Sequence, residues 1–179
     1  MAGGKDGRGG NSGTYLYSCG WRIAGVTALI RRMTLADIPA VHEIDVLSFS
    51  LPWPERSFHY ELTENQVSRG WVAEVDGRIA AMLMIWLIVD EAHIATIAVH
   101  PDFRRQGIGE QILLHALRAA HNEGAQRAFL EVRAGNAAAQ TMYKKYGFEM
   151  VGVRPGYYKD NNEDALLMNL EKFDCLEAV

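Results

Sequence analysis

Two stretches of this chain combine residue types and spacings that chemistry can use. The first is IATIAVHPDFRRQGIGEQILLHAL, residues 94–117. It sets Arg104-Arg105-Gln106-Gly107-Ile108-Gly109 between a strand-like run and a helical one. Free N–H groups at a helix start, together with the helix dipole, attract an anion. Glycines let backbone approach that anion without Cβ clashes. Two arginines add positive charge, so the chemistry offered is binding of a phosphate or pyrophosphate. No Lys-Ser or Lys-Thr follows Gly109, so this is not a Walker loop. G-x-G-x-x-G is also absent, which excludes the dinucleotide fingerprint. A solvated basic turn, with glycine merely starting a helix, fits the same residues.

The second stretch is FLEVRAGNAAAQTMYKKYGF, residues 129–148. Glu131 sits within an otherwise apolar strand-like run. A carboxylate there loses hydration, so its pKa tends to rise, which suits a general base near neutral pH. A salt-bridged Glu131 at a strand end, paired for instance with Arg133, is the structural alternative. Tyr143 follows on a helical segment, where a core aromatic with a satisfied hydroxyl is the ordinary reading. The histidines, including His93 and His100, show no metal-ligand spacing.

These residues need a scaffold, and the chain has room for one domain plus a tail at 179 residues. It is 49% hydrophobic and 22% charged, which excludes a wholly disordered chain, a collagen-like repeat or a coiled coil. A net charge of -4 argues against general nucleic-acid binding. Cys19 and Cys175 are too few and too far apart for a disulfide scaffold or zinc site, so a reducing cytoplasm is the expected compartment. The most apolar run, Ile79 to Val89, is too short to span a bilayer as a helix and reads as a buried strand. The Gly-rich start lacks the pattern of a secretory signal. We expect residues 1–20 to be a disordered tail, 21–174 the folded domain and 175–179 a C-terminal tail.

Within the domain, Thr34 and Asp37 form a capping box that opens a helix carrying Ile38, Val41, Ile44 and Leu47. Pro54 suits the first turn of a second helix, with Phe58 and Leu62 on one face. Trp71 to Val75 alternates as a strand. Asp76-Gly77 is a hairpin turn into Arg78 to Val89, and Ala92 to Val99 completes the meander. Ile108, Ile112, Leu113, Ala116, Leu117 and Ala120 share one face of a helix from Gly107 to His121, stopped by Gly124. Ala128 to Val132 follows as a short apolar strand, parallel to the strand before that helix. Asn136 caps a last helix, which ends at Gly147, and Phe148 to Val153 and Ala165 to Leu170 are two final strands. The fold class is α/β, a mostly antiparallel sheet with one parallel strand–helix–strand crossover.

From about Ile30 to Leu170 the chain resembles the GNAT superfamily of acetyl-coenzyme-A-dependent N-acetyltransferases. Arg104-x-x-Gly107-x-Gly109 matches that superfamily's pyrophosphate loop. More narrowly it resembles the RimI-type ribosomal-protein-alanine N-acetyltransferases. That resemblance rests on Pro52-Trp53, Leu130-Glu131-Val132-Arg133 with Asn136-Ala137-Ala138-Ala139, Tyr143…Gly147-Phe148, and Arg154-x-x-Tyr157-Tyr158…Glu163-Asp164-Ala165.

The resemblance implies a GNAT fold, with helices on both faces of the sheet, and a set of roles. Ile97, Ala98 and Val99 present backbone groups to the pantetheine arm of acetyl-CoA, beside a splay between two strands. Arg105, Gln106, Gly107, Ile108, Gly109 and Glu110 hold the pyrophosphate, with Arg104 the solvated neighbour of Arg105. Asn136 bonds the cofactor arm. Glu131 is the general base and Tyr143 the general acid. Trp53, Tyr157 and Tyr158 shape the peptide groove. The implied activity moves acetyl from acetyl-CoA to a protein N-terminus, a ribosomal protein's N-terminal alanine above all, with no metal. It also implies a monomer or weak dimer without direct nucleic-acid or membrane contact. A lysine side chain or small amine as acceptor, or a domain that only binds acetyl-CoA, are the competing readings.

Overall fold

The computed structural model describes residues 26–173 and the backbone of two short strands, β1 (Tyr15–Leu16) and β2 (Arg22–Ile23), which pair antiparallel. Otherwise the expected tails 1–20 and 175–179 lie outside the described residues. The main elements follow as β3 (Leu29–Arg32), α1 (Ile38–Ser48), α2 (Glu55–Thr63), β4 (Ser68–Val75), β5 (Arg78–Ile88), β6 (Glu91–Val99), α3 (Ile108–Asn122), β7 (Arg127–Arg133), α4 (Ala137–Lys145), β8 (Glu149–Tyr158) and β9 (Glu163–Leu170). Among the described residues β3 to β9 form one sheet in the order β3-β4-β5-β6-β7-β9-β8. Only the β6–β7 pair in it is parallel, and α3 makes that crossover.

Both faces of the sheet are covered. On β5, Ala81, Leu83 and Ile85 face α3 and α4, while Met82 and Met84 face α1 and α2. All five are buried. A strand covered on both sides reads as an unbroken apolar run, which explains the segment after Gly77. For the same reason Trp71, Val72 and Ala73 are all buried, and the expected alternation of β4 is not seen.

Local signals set the joints. Asp76 and Gly77 take φ of 50° and 76°, both positive as the β4–β5 turn requires. Asp37 accepts from the Thr34 N–H at 2.7 Å and hydroxyl at 2.9 Å, opening α1 through a single 3₁₀ turn. The Arg31 guanidinium grips the same carboxylate and lowers its pKa to about 2, tying the helix start to the sheet edge. Of the expected stripe on α1, Ile38, Val41 and Ile44 are buried, but Leu47 is 48% exposed. At about 100° per residue Leu47 turns away from the face that Ile38, Val41 and Ile44 share, and Asp45 continues that face instead. Pro54 stands just before α2 instead of within its first turn.

The feature that makes a site is where pairing stops. β6 and β7 are in register only from Glu91↔Arg127 to Ile94↔Leu130. Beyond that, β6 stays with β5 as far as Val99, and β7 stays with β9 as far as Arg133. The two strands therefore part and leave an opening between Ala95–Val99 and Glu131–Arg133.

Candidate active site

The splay opens into a groove of about 2160 Å³, beyond the usual size of a small-ligand pocket and large enough for a long donor and a second substrate. His100 N–H donates to Ala80 O at 2.8 Å. Successive residues of a strand point their backbone groups to opposite edges. The backbone of Ala98 thus belongs to the β5 ladder, and that of Ile97 and Val99 to the open edge. Of the three residues expected to offer backbone groups, two offer them to the groove.

At the end of β6 the chain turns into α3. Gly107 is the N-cap, at φ 76°. A residue with a Cβ is strained there. Gly109 packs its backbone against β6, where an added Cβ would lie 3.3 Å from Val99 Cγ2. The first-turn N–H groups of Ile108, Gly109 and Glu110 precede the first helical bond, Gln111 N–H to Gly107 O at 3.1 Å. They form an amide cradle at the positive end of a 15-residue helix.

The two arginines beside the cradle differ. Arg104 is not merely a solvated neighbour. It donates to Val99 O at 3.0 Å and to Ser48 Oγ at 3.2 Å, bracing β6 against α1. Arg105 is exposed, lines the groove and donates to no residue among those described. It is available to an anion. Arg105→Ala is expected to weaken acetyl-CoA binding roughly tenfold, the scale of one charge-assisted phosphate contact. Calorimetry checks this, and equal affinity in parent and variant would reassign the contact. Gln106 turns its side-chain amide back to Asp102 O at 3.1 Å. The Glu110 carboxylate accepts from Lys145 Nζ and Tyr146 OH, both at 2.6 Å, and clamps α3 to α4. What these two residues can still offer an anion is backbone.

Asn136 works as the N-cap of α4, accepting from Ala139 N–H at 3.1 Å. That occupies its side-chain oxygen and leaves the amide N–H groups to the groove it lines. Tyr143, on α4, is 5% exposed and packs tilted against Phe148. Its hydroxyl has no hydrogen-bond partner among the described residues, and the side chain lines the groove. Burial holds the phenol well above its usual pKa. The expected satisfied core tyrosine is therefore a core ring with a free, protonated hydroxyl.

Glu131 lies on the opposite face. Alternation along β7 sends Ala128, Leu130 and Val132 into the core and turns Phe129, Glu131 and Arg133 to the groove. The desolvated carboxylate expected from its apolar neighbours is not what forms. The side chain is 29% exposed, and Oε1 sits 2.6 Å from Arg154 of β8. Tyr157 also hydrogen-bonds Glu131, which raises the phenol's pKa above the ordinary value. Arg133, the partner suggested by sequence, is engaged elsewhere. It binds Asp160 at 3.0 Å, Glu163 at 3.0 Å and Ser50 Oγ at 3.1 Å.

Those bonds join the α1–α2 connection to the β8–β9 turn. Ser50 also donates to Asp160. Tyr158 lies with its ring 3.9 Å from the Arg133 guanidinium and meets Tyr157 edge-on. β8 runs on through both tyrosines, past the expected end at Val153. Trp53 packs against Phe58. Tyr157 and Tyr158 thus stand with Glu131 and Arg133, and Trp53 lines the same groove.

Sequence reasoning passed over Asp45, Arg154 and Asp160. Asp45 carried a signal: it lies four residues after Val41, on the edge of the buried stripe of α1. Among the described residues no group of three His, Cys, Asp or Glu could hold a metal ion, and no helix is long and apolar enough to cross a membrane.

Comparison with known proteins agrees with this geometry. The family model described as Acetyltransferase (GNAT) family matches residues 38–148. A Bacillus subtilis (strain 168) protein, provisionally named a ribosomal protein bS18-alanine N-acetyltransferase, is 43% identical over 141 residues, covering 79% of this chain and 93% of the relative. The Escherichia coli (strain K12) protein named ribosomal protein bS18-alanine N-acetyltransferase is 34% identical over 152 residues, covering 79% and 95%. The crystal structure of the ribosomal-protein-S18-alanine N-acetyltransferase from Escherichia coli superposes with a TM-score of 0.74 at 34% identity, covering 80% of this chain and 93% of that one.

Proposed function

The chain belongs to the GNAT acetyltransferase family and is an acetyl-CoA-dependent N-acetyltransferase, and from that premise we propose that it acetylates the N-terminal alanine of a small-subunit ribosomal protein. The observation that carries the reading is one groove with an amide cradle, a groove-facing carboxylate and a protonated phenol on its walls. The acceptor for which both relatives are named supports the choice of substrate.

Acetyl-CoA supplies an acyl group open to attack and a thiolate leaving group. The residues present fit it: a cradle of free N–H groups, an unpaired Arg105, and an open strand edge for an extended arm. Ile108 to Glu110 and Arg105 hold the diphosphate, and Ile97 with Asn136 aligns the arm. Val99 N–H, on the open edge, faces charge developing on the acyl oxygen. Trp53, Tyr157 and Tyr158 shape the acceptor side.

An α-amino group has pKa ~8, so removing its proton at pH 7 costs about 1.4 kcal/mol, against nearly 5 for lysine at ~10.4. Glu131 takes that proton, directly or through water. The incoming ammonium exchanges for Arg154 at the carboxylate, one cation for another, with Arg154 55% exposed and free to swing out. Tyr143 gives its proton to the departing sulfur.

Residues 21–174 are then one catalytic domain. It works in the cytoplasm as a monomer or weak dimer, with a protein N-terminus as partner, no metal, and no direct nucleic-acid or membrane contact. A panel of N-terminal peptides with lysine-only controls, scored by mass, tests the reading. Acetylation of peptides beginning with alanine is the expected outcome. Turnover confined to lysine or small amines would overturn it.

A further inference from the structure

Asp45 is a carboxylate that the fold buries and then leaves half satisfied. It lies on the third turn of α1 and is 1% exposed. Oδ2 accepts from the Trp53 N–H at 2.6 Å and so ties the α1–α2 connection to the helix. Among the described residues Oδ1 has no hydrogen-bond partner, and the side chain lines the groove with Trp53. Burial raises the carboxyl's pKa, against opposing effects of the Trp53 N–H and of His42. Holding Trp53 needs only one oxygen. A buried oxygen without a donor is costly, so one beside a groove calls for a donor from what enters it, water or ligand.

An ionised carboxylate only accepts hydrogen bonds, so whatever completes Oδ1 must donate, and a cation suits it best. Glu131, which lines the same groove, takes one N–H of an incoming ammonium in exchange for Arg154, and an ammonium has two more to give. The substrate assigned above arrives as an ammonium. We propose that Asp45 is an acceptor-binding residue whose Oδ1 takes a hydrogen bond from that ammonium and seats the amine in the groove. This rests on the proposed function. It adds a determinant for a charged amine, in place of an already acylated one.

The test is Asp45→Asn. The Trp53 N–H still demands an oxygen, so the amide oxygen turns to it and the NH₂ turns into the groove. The loop tie survives, and the groove-facing acceptor becomes a donor. Binding of an alanine-first peptide and of its N-acetylated product is measured by calorimetry in the presence of coenzyme A. The free-amine peptide is expected to bind roughly 10- to 100-fold more weakly to the variant. The acetylated peptide, which has no ammonium, and coenzyme A itself should bind unchanged.

Equal loss for both peptides means a structural role and overturns the inference, as does no loss for either. Should the amide variant not fold, Asp45→Glu keeps the charge but displaces the oxygen. The same ratio of free to acetylated affinity then falls or the inference fails. A parent enzyme that acetylates no α-amine overturns the functional reading and this inference together. A parent that does so, with unchanged peptide affinity in the variant, overturns this inference alone.

Discussion

Glu131→Gln is expected to lower kcat by about 10²- to 10⁴-fold at neutral pH, the range of a general base. The amide keeps an oxygen for Arg154 and Tyr157, so the local geometry persists. The cradle lies across the splay on α3, so the dissociation constant for acetyl-CoA should stay where it is. The deficit has a predictable pH dependence. Below the amine's pKa the acceptor is an ammonium and needs the base. Near about pH 9 most of an α-amine is already neutral in solution, so the variant should recover much of its rate. Steady-state kinetics on an alanine-first peptide at several pH values, with calorimetry for the donor, measures both halves. A variant as fast as the parent at neutral pH would move the proton acceptor elsewhere.

Tyr143→Phe should lower kcat by about 10²- to 10³-fold through loss of the proton donor to sulfur. The substitution removes one oxygen from a side chain whose ring packs against Phe148, and that hydroxyl has no partner to lose. Stability should therefore be nearly unchanged. Burial holds the phenol's pKa above its usual value, so it stays protonated throughout the working range. The deficit should accordingly be flat between about pH 7 and 9. The two variants are thus separated by the shapes of their profiles as well as by their rates. A Tyr143→Phe enzyme that recovers at high pH would assign the hydroxyl to the amine instead of the leaving group.

Much of the site was legible because its parts are local. A left-handed Gly107 before an amphipathic run shows in residue types alone, since only glycine takes that φ freely. Asn136 as a cap, and the period of α3, are equally local. Less legible were partners brought by distant strands. Arg133, two residues along the same strand, looked the natural mate of Glu131. The β8–β9 hairpin instead supplies Asp160 and Glu163 to Arg133, and sends Arg154 across β9 to Glu131. No spacing rule foresees which carboxylate an arginine reaches from two strands away.

The order of residues alone therefore determined the elements and the glycine-led start of α3. Each depends on φ preferences or on periodicity within one segment, and those are properties of short stretches of chain. The tertiary structure decided what surrounds them: the parting of β6 from β7, the brace of Arg104, the open hydroxyl of Tyr143 and the half-satisfied Asp45. Burial and pairing are set by where separate segments meet, and the insertion of β9 between β7 and β8 settles that only when the sheet is complete.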